Sequence, residues 1–105
     1  MFRLYDLYVA QTPGDLRITY GAIWEGSAEP PPGHHRDLIQ LVNEATGEPA
    51  GYFYANAGTL ESDLSYRIDH HDPVTVEPGR YALLWTWDCD NRQGALDASE
   101  TVTLT

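Results

Sequence analysis

Glu77-Pro78-Gly79-Arg80-Tyr81-Ala82-Leu83-Leu84-Trp85-Thr86-Trp87-Asp88-Cys89-Asp90-Asn91 is the stretch whose reading decides the fold. Pro78-Gly79 supplies a turn. Beyond it Tyr81, Leu83, Trp85 and Trp87 fall on one side of an extended chain and Ala82, Leu84 and Thr86 on the other, because successive strand side chains point to opposite faces. A segment so apolar on both sides belongs in the centre of a sheet. A Tyr just after such a turn can fold its ring into a core and return its hydroxyl to the backbone, as in a tyrosine corner. The same alternation predicts Trp85 deeply buried beside Tyr81 and Leu83.

Outward from this strand, short apolar–polar alternations separated by Gly, Pro, Asn and Asp recur along the chain. Leu4 to Ala10 sets Tyr5, Leu7 and Val9 against Leu4, Asp6 and Tyr8, and Thr12-Pro13-Gly14-Asp15 then turns the chain. Leu16 to Trp24 follows with Leu16, Ile18, Tyr20, Ala22 and Trp24 on one face, able to pair with the first segment as a hairpin or to lie in a facing sheet. Ser27 to His35, with Pro30, Pro31 and Pro32, reads as the longest exposed loop, since three prolines cannot donate ladder hydrogen bonds. Asp37 to Glu44 is a third strand with Ile39 and Leu41 inward, and a hairpin around Gly47 leads to the aromatic strand Gly51 to Ala55. Ser62 to Asp69 places Leu64, Tyr66 and Ile68 on one side. Thr101 to Thr105, with Val102 and Leu104 inward, closes the fold. About seven strands in 105 residues predict one domain, an all-β, immunoglobulin-like antiparallel β-sandwich.

Composition bounds what such a domain does. Sixteen acidic residues face six basic ones, all Arg, for a net charge of −10. A nucleic-acid backbone or an anionic membrane repels that surface, so neither is expected as a partner. The acidity itself serves solubility or attraction to a basic partner. Cys89 is the only cysteine, which excludes an intrachain disulfide and a thiolate-rich zinc site. Met1 to Asp6 has no basic segment followed by an apolar run, and no stretch approaches a membrane span. The chain is therefore expected to be soluble and without a signal peptide, extracellular or on a cell surface if cut from a longer exported protein.

The quoted stretch also resembles the late-strand signature of bacterial immunoglobulin-like adhesion domains, in particular the CARDB (cell adhesion related) family, where a Pro-Gly-x-Tyr corner opens a hydrophobic strand ending in an Asp-containing turn. The resemblance extends loosely over Asp6-Leu7-Tyr8-Val9, Leu16-Arg17-Ile18-Thr19-Tyr20 and Asp37-Leu38-Ile39-Gln40-Leu41. Trp24-Glu25-Gly26-Ser27 and Asp97-Ala98-Ser99-Glu100 stand where the family carries an Asn-x-Gly loop and an acidic, Asn-rich run. The resemblance implies a structural or adhesive module. A phage virion decoration protein is a second setting for such a domain, by analogy of fold alone.

Candidate chemistry is sparse. His34-His35 and His70-His71-Asp72 offer imidazole and carboxylate to a transition metal, but neighbours on a strand face opposite ways, so solvated loop histidines are the default. Asp88, Asp90, Asn91 and Asp97 form an oxygen-rich stretch without the order of a calcium loop. Ser65 or Ser99 with His70 and Asp72 names a hydrolytic triad, but no Gly-x-Ser-x-Gly elbow supports it. Glu61 with Asp63 is a chance pair among sixteen acids. Cys89 between aspartates is a poor nucleophile. No enzyme activity, cofactor or metal is expected.

Tyr52, Phe53 and Tyr54 carry more information. Three successive aromatics on a strand put at least one on the outer face of a sheet covered on one side only. Such a residue is either edge packing or a binding surface for a protein or a sugar ring. Trp24, Pro31, Tyr52 and Tyr54 are the candidate contact residues. The expected partner is a protein or a second copy, with a carbohydrate-binding module as the alternative.

Overall fold

The computed structural model describes residues 2–26, 28–30, 33–89, 92–95 and 100–105, the side chains of 92–95 excepted. Eight strands are described: β1 (Phe2–Thr12), β2 (Asp15–Trp24), β3 (His35–Asn43), β4 (Pro49–Gly58), β5 (Ser65–Asp72), β6 (Gly79–Cys89), β7 (Arg92–Ala95) and β8 (Glu100–Leu104). They form two antiparallel sheets packed face to face, an immunoglobulin-like β-sandwich. The smaller sheet has the order β1-β2-β5, and the larger has β4-β3-β6 with β7 and β8 both against β6. β7 and β8 follow the same edge of β6, at Cys89↔Arg92 to Thr86↔Ala95 and then Leu83↔Glu100 to Gly79↔Leu104. Counting them as one interrupted strand returns the seven expected from the spacing. Among the described residues no helix is long and apolar enough to cross a membrane.

β1 and β2 form a hairpin closed at Thr12↔Asp15, so the first two segments are neighbours and not facing layers. The second hairpin turns at Gly47, whose φ of 74° suits a residue without Cβ and whose N–H donates to the Asn43 carbonyl. In β6 the tyrosine corner is present: Tyr81 is buried and its hydroxyl donates to the Glu77 carbonyl at 2.6 Å. Tyr81, Leu83, Trp85 and Trp87 all lie in the core, as their alternation requires. Facing them are Leu16, Ile18, Tyr20 and Ala22 of β2 and Tyr66 and Ile68 of β5.

Four expectations are corrected. In β1 the register slips between Tyr5 and Tyr8, with Asp6 at a φ of 54°, and this bulge keeps Leu4, Leu7 and Val9 together against the core. Tyr5 is thereby turned to the outer face, where its ring covers Gly21 so closely that a Cβ there would run into it. Leu64 is exposed with a φ of 65°, in a turn where its N–H donates to the Glu61 carbonyl, and β5 begins only at Ser65. The later start carries His70 and His71 onto the strand, not into a loop. His35 likewise is not a loop residue but the buried first residue of β3, facing inward two places before Asp37.

Phe2 closes one end of the core. Its ring meets Trp24, His35, Tyr66, Trp85 and Trp87 edge-on, with centroids 4.9 to 6.4 Å away. Trp85 lies between this aromatic cluster and the aliphatic middle of the sandwich, so Trp85→Ala is expected to cost about 3–5 kcal/mol. Chemical denaturation checks the value, and an unchanged unfolding midpoint contradicts the packing described.

Candidate interaction face

One cluster of titratable groups lies inside the sandwich. Asp37 of β3 is 0% exposed and sits between the sheets. The Tyr20 hydroxyl donates to its Oδ2 at 2.5 Å, the Tyr66 hydroxyl lies 3.0 and 2.9 Å from its two oxygens, and Trp85 Nε1–H donates to Oδ2 at 3.0 Å. Tyr20 and Tyr66 belong to the smaller sheet and Asp37 and Trp85 to the larger, so the carboxylate is a polar rivet through the sandwich. Burial pushes its pKa up to about 6; the three donors pull it back, and the charge of Asp88 adds a small rise. Both tyrosines are raised, first by burial and then by the Asp37 charge. His35 stacks on Tyr66 with centroids 4.9 Å apart. A carboxylate sealed from solvent touches no substrate, and its geometry is that of a structural group.

The other chemical candidates are separated or self-satisfied. Ser65 bonds Asp63, while His70 bonds Asp72 at 3.3 Å. Five residues of strand put Ser65 and His70 roughly 17 Å apart, so the structure does not assemble this triad. His70 leans toward Phe53 inside, and His71 faces out to Asp15 at 3.0 Å. His34 is exposed, and Cys89 is buried. Asp88 pairs with Arg36 at 3.6 Å; Asp90, Asn91, Asp97 and Ser99 lie outside the described residues.

The two outer faces differ sharply. On the smaller sheet the rows across the strands read Ala10-Arg17-His71, Tyr8-Thr19-Asp69, Tyr5-Gly21-Arg67 and Arg3-Ile23-Ser65. Charges there are paired: Arg17 with Asp69 at 3.0 Å, Arg67 with Asp6 at 3.6 Å, and Arg3 with Glu25. Arg17 holds the Asp69 carboxyl below its ordinary pKa. The Arg3 and Arg67 guanidinium carbons lie 6.0 and 5.5 Å from the Tyr5 ring.

On the larger sheet the rows Tyr54-Leu38-Thr86, Tyr52-Gln40-Leu84 and Val42-Ala82 contain no charge. Ion pairs close this face at both ends, Arg36–Asp88 at one and Arg80–Glu44 at 3.5 Å at the other. Tyr52 is 56% exposed, Tyr54 48% and Leu84 43%. Alternation along β4 accounts for the tyrosines: Phe53 points inward and folds its ring over Gly51, where a Cβ would collide with it. The Tyr52 and Tyr54 rings meet edge to face at 5.6 Å, with their hydroxyls 3.3 Å apart, and Arg36 lies 4.8 Å from the Tyr54 ring. Hydrogen bonding to Tyr54 raises the Tyr52 pKa. Rings at 84° to each other, one already beside a guanidinium, do not form the flat platform on which a sugar stacks.

The structure therefore brings Tyr52 and Tyr54 together and joins Leu38 and Leu84 to them, two residues that sequence reasoning passed over. Their signal was available, since Leu38 and Leu84 share the outward parity of Tyr52 and Tyr54 once β3 is set between β4 and β6. Trp24 stands apart, on the inner face of β2, with its ring against Phe2 and Trp87 and its Nε1–H donating to the Ala28 carbonyl at 2.9 Å. Pro31 lies outside the described residues. No protein-family model matches the chain, and no curated protein matches it.

The Asp37 rivet makes stability depend on pH in a definite direction. With a folded-state pKa of about 6 against an ordinary 3.8, the native protein holds a proton that the unfolded chain has already released. The contribution is complete below pH 3.8 and is lost as pH rises through 6. The gap corresponds to roughly 3 kcal/mol. Denaturation of the protein and its Asp37→Asn variant should give a stability difference that shifts against the parent by about that amount between those limits. A difference independent of pH contradicts it.

Proposed function

We propose that the protein is a non-catalytic protein–protein interaction module that docks through the outer face of its larger sheet. The observation that carries this reading is the uncharged face of Tyr52, Tyr54, Leu38, Gln40, Leu84 and Thr86, in a chain of net charge −10 whose opposite face is covered with ion pairs. Interface centres are depleted in charge and enriched in Tyr, with charged residues at the rim. In projection the patch covers roughly 300 Å², from strand spacing and rise, within the size at which the largest apolar patch of a monomer is often functional. An adhesive or assembly role, and kinship with the CARDB domains, belong to the same proposal. The tyrosine corner at Glu77–Tyr81 supports the fold they would share.

The carbohydrate alternative competes for the same tyrosines, and one experiment separates the two. A protein partner is isolated on the immobilised wild type from the organism that encodes the chain, then its affinity is measured for the wild type and for Tyr52→Ser/Tyr54→Ser. Both tyrosines are exposed, so stability should hold within about 0.5 kcal/mol. Affinity should fall about 30-fold, the cost of losing an interface residue worth about 2 kcal/mol. Undiminished affinity overturns the proposal. Binding to polysaccharide that the same variant abolishes favours the alternative.

A further inference from the structure

We infer that β4 is a self-pairing edge, so that two copies of the chain join β4 to β4 antiparallel and merge their uncharged faces into one; this rests on the reading of that face given above. β4 pairs with β3 alone, and among the described residues no backbone hydrogen bond leaves Gly51–Asn56 toward any other element. Open edges are ordinarily blunted by charged side chains, proline or a central bulge. None of these interrupts Gly51-Tyr52-Phe53-Tyr54-Ala55-Asn56: the whole of β4 is uncharged in a chain that is 21% charged, its proline is Pro49, and its register slips occur only beyond each end of this stretch.

Parity restricts the pairing. Residues directly opposite in a continuous sheet share a face, so inward Phe53 must meet an inward residue and the tyrosines must meet outward ones. With Phe53 opposite Phe53 of the second copy, Tyr52 meets Tyr54 twice across the two-fold axis, and Gly51 meets Ala55. This register opposes both aromatic pairs at once. It also narrows a shortage of area: a patch of roughly 300 Å² is less than half of the about 800 Å² per partner that a stable complex buries, and pairing brings it to about 600 Å².

Charge does not forbid the assembly. The molecule is 23 to 24 Å across its short axes, so the centres of side-by-side copies stand about three screening lengths apart at physiological salt. The residual repulsion of −10 against −10 has a signature: added salt strengthens this dimer, whereas it weakens one held by opposite charges.

Sedimentation velocity on the intact chain tests the inference. Over rising protein concentration the dimer fraction should increase, and at fixed concentration it should rise about twofold or more between roughly 50 mM and 500 mM NaCl. Tyr52→Lys/Tyr54→Lys opposes like charges across the axis and should leave only monomer at an unchanged melting temperature. Thr19→Lys, on the other sheet, should dimerise like the parent. A wild type that stays monomeric throughout, a dimer that weakens with salt, or a dimer that survives the double lysine variant overturns self-pairing. If the Tyr52→Ser/Tyr54→Ser variant still loses a separate protein partner, the docking face stands and only the second copy is wrong.

Discussion

A carboxylate buried between two sheets is the constraint on which the rest of this sandwich turns. Removing Asp37 from water costs several kcal/mol, and three donors return an amount of the same order, about 1.5–3 kcal/mol each for bonds to a charged group. Those donors come from β2, β5 and β6 while the acceptor is on β3, so four strands in both sheets must hold one register to satisfy it. Apolar packing tolerates small slides of one layer on another; a carboxylate with three converging donors does not. Trp85 Nε1–H also reaches the Tyr20 hydroxyl at 3.1 Å, which ties the donors to one another.

Fixing the inner faces fixes the outer ones, because the strand period is two. Once Asp37, Ile39 and Leu41 face the core, Arg36, Leu38, Gln40 and Val42 face out. Once Trp85 and Trp87 face in, Leu84, Thr86 and Asp88 face out. The uncharged outer face is thus the complement of the rivet, centred on a strand with partners on both sides. Among the described residues, the Asp37 carboxylate is sealed between the sheets, and the exposed carboxylates of the smaller sheet are engaged by basic side chains, Asp6 by Arg67, Asp69 by Arg17 and Asp15 by His71.

Much of this was legible in the chain. The Pro78-Gly79-Arg80-Tyr81 turn and the parity of Trp85 carried over directly, as did the inward set Leu16, Ile18, Tyr20 and Ala22. The burial of Asp37 was not drawn from the chain, although Asp37 shares the parity of Ile39 and Leu41, and inward Tyr20, Tyr66 and Trp85 each bring a polar atom that needs a partner. That clue lies in parity combined with hydrogen-bonding demand, not in hydrophobicity. Tyr5 was placed on the wrong side because a bulge at Asp6 breaks the period, and nothing in the local residue types announces it. Leu64 looked like a core residue by type, but a turn that takes its N–H to Glu61 leaves it outside. Tyr52 and Tyr54 were recognised on their own strand, while Leu38 and Leu84 became part of the face only through the pairing of distant strands.

The central claim is that the Asp37 carboxyl is desolvated and shared by both sheets, and its own titration is the most direct test. Carbon-13 NMR of the side-chain carboxyl, followed through acid and neutral pH in the folded protein, should give a midpoint near 6. A midpoint at or below the ordinary 3.8 would contradict the desolvation of Asp37, since burial would then not outweigh the stabilisation of its charge by the three donors.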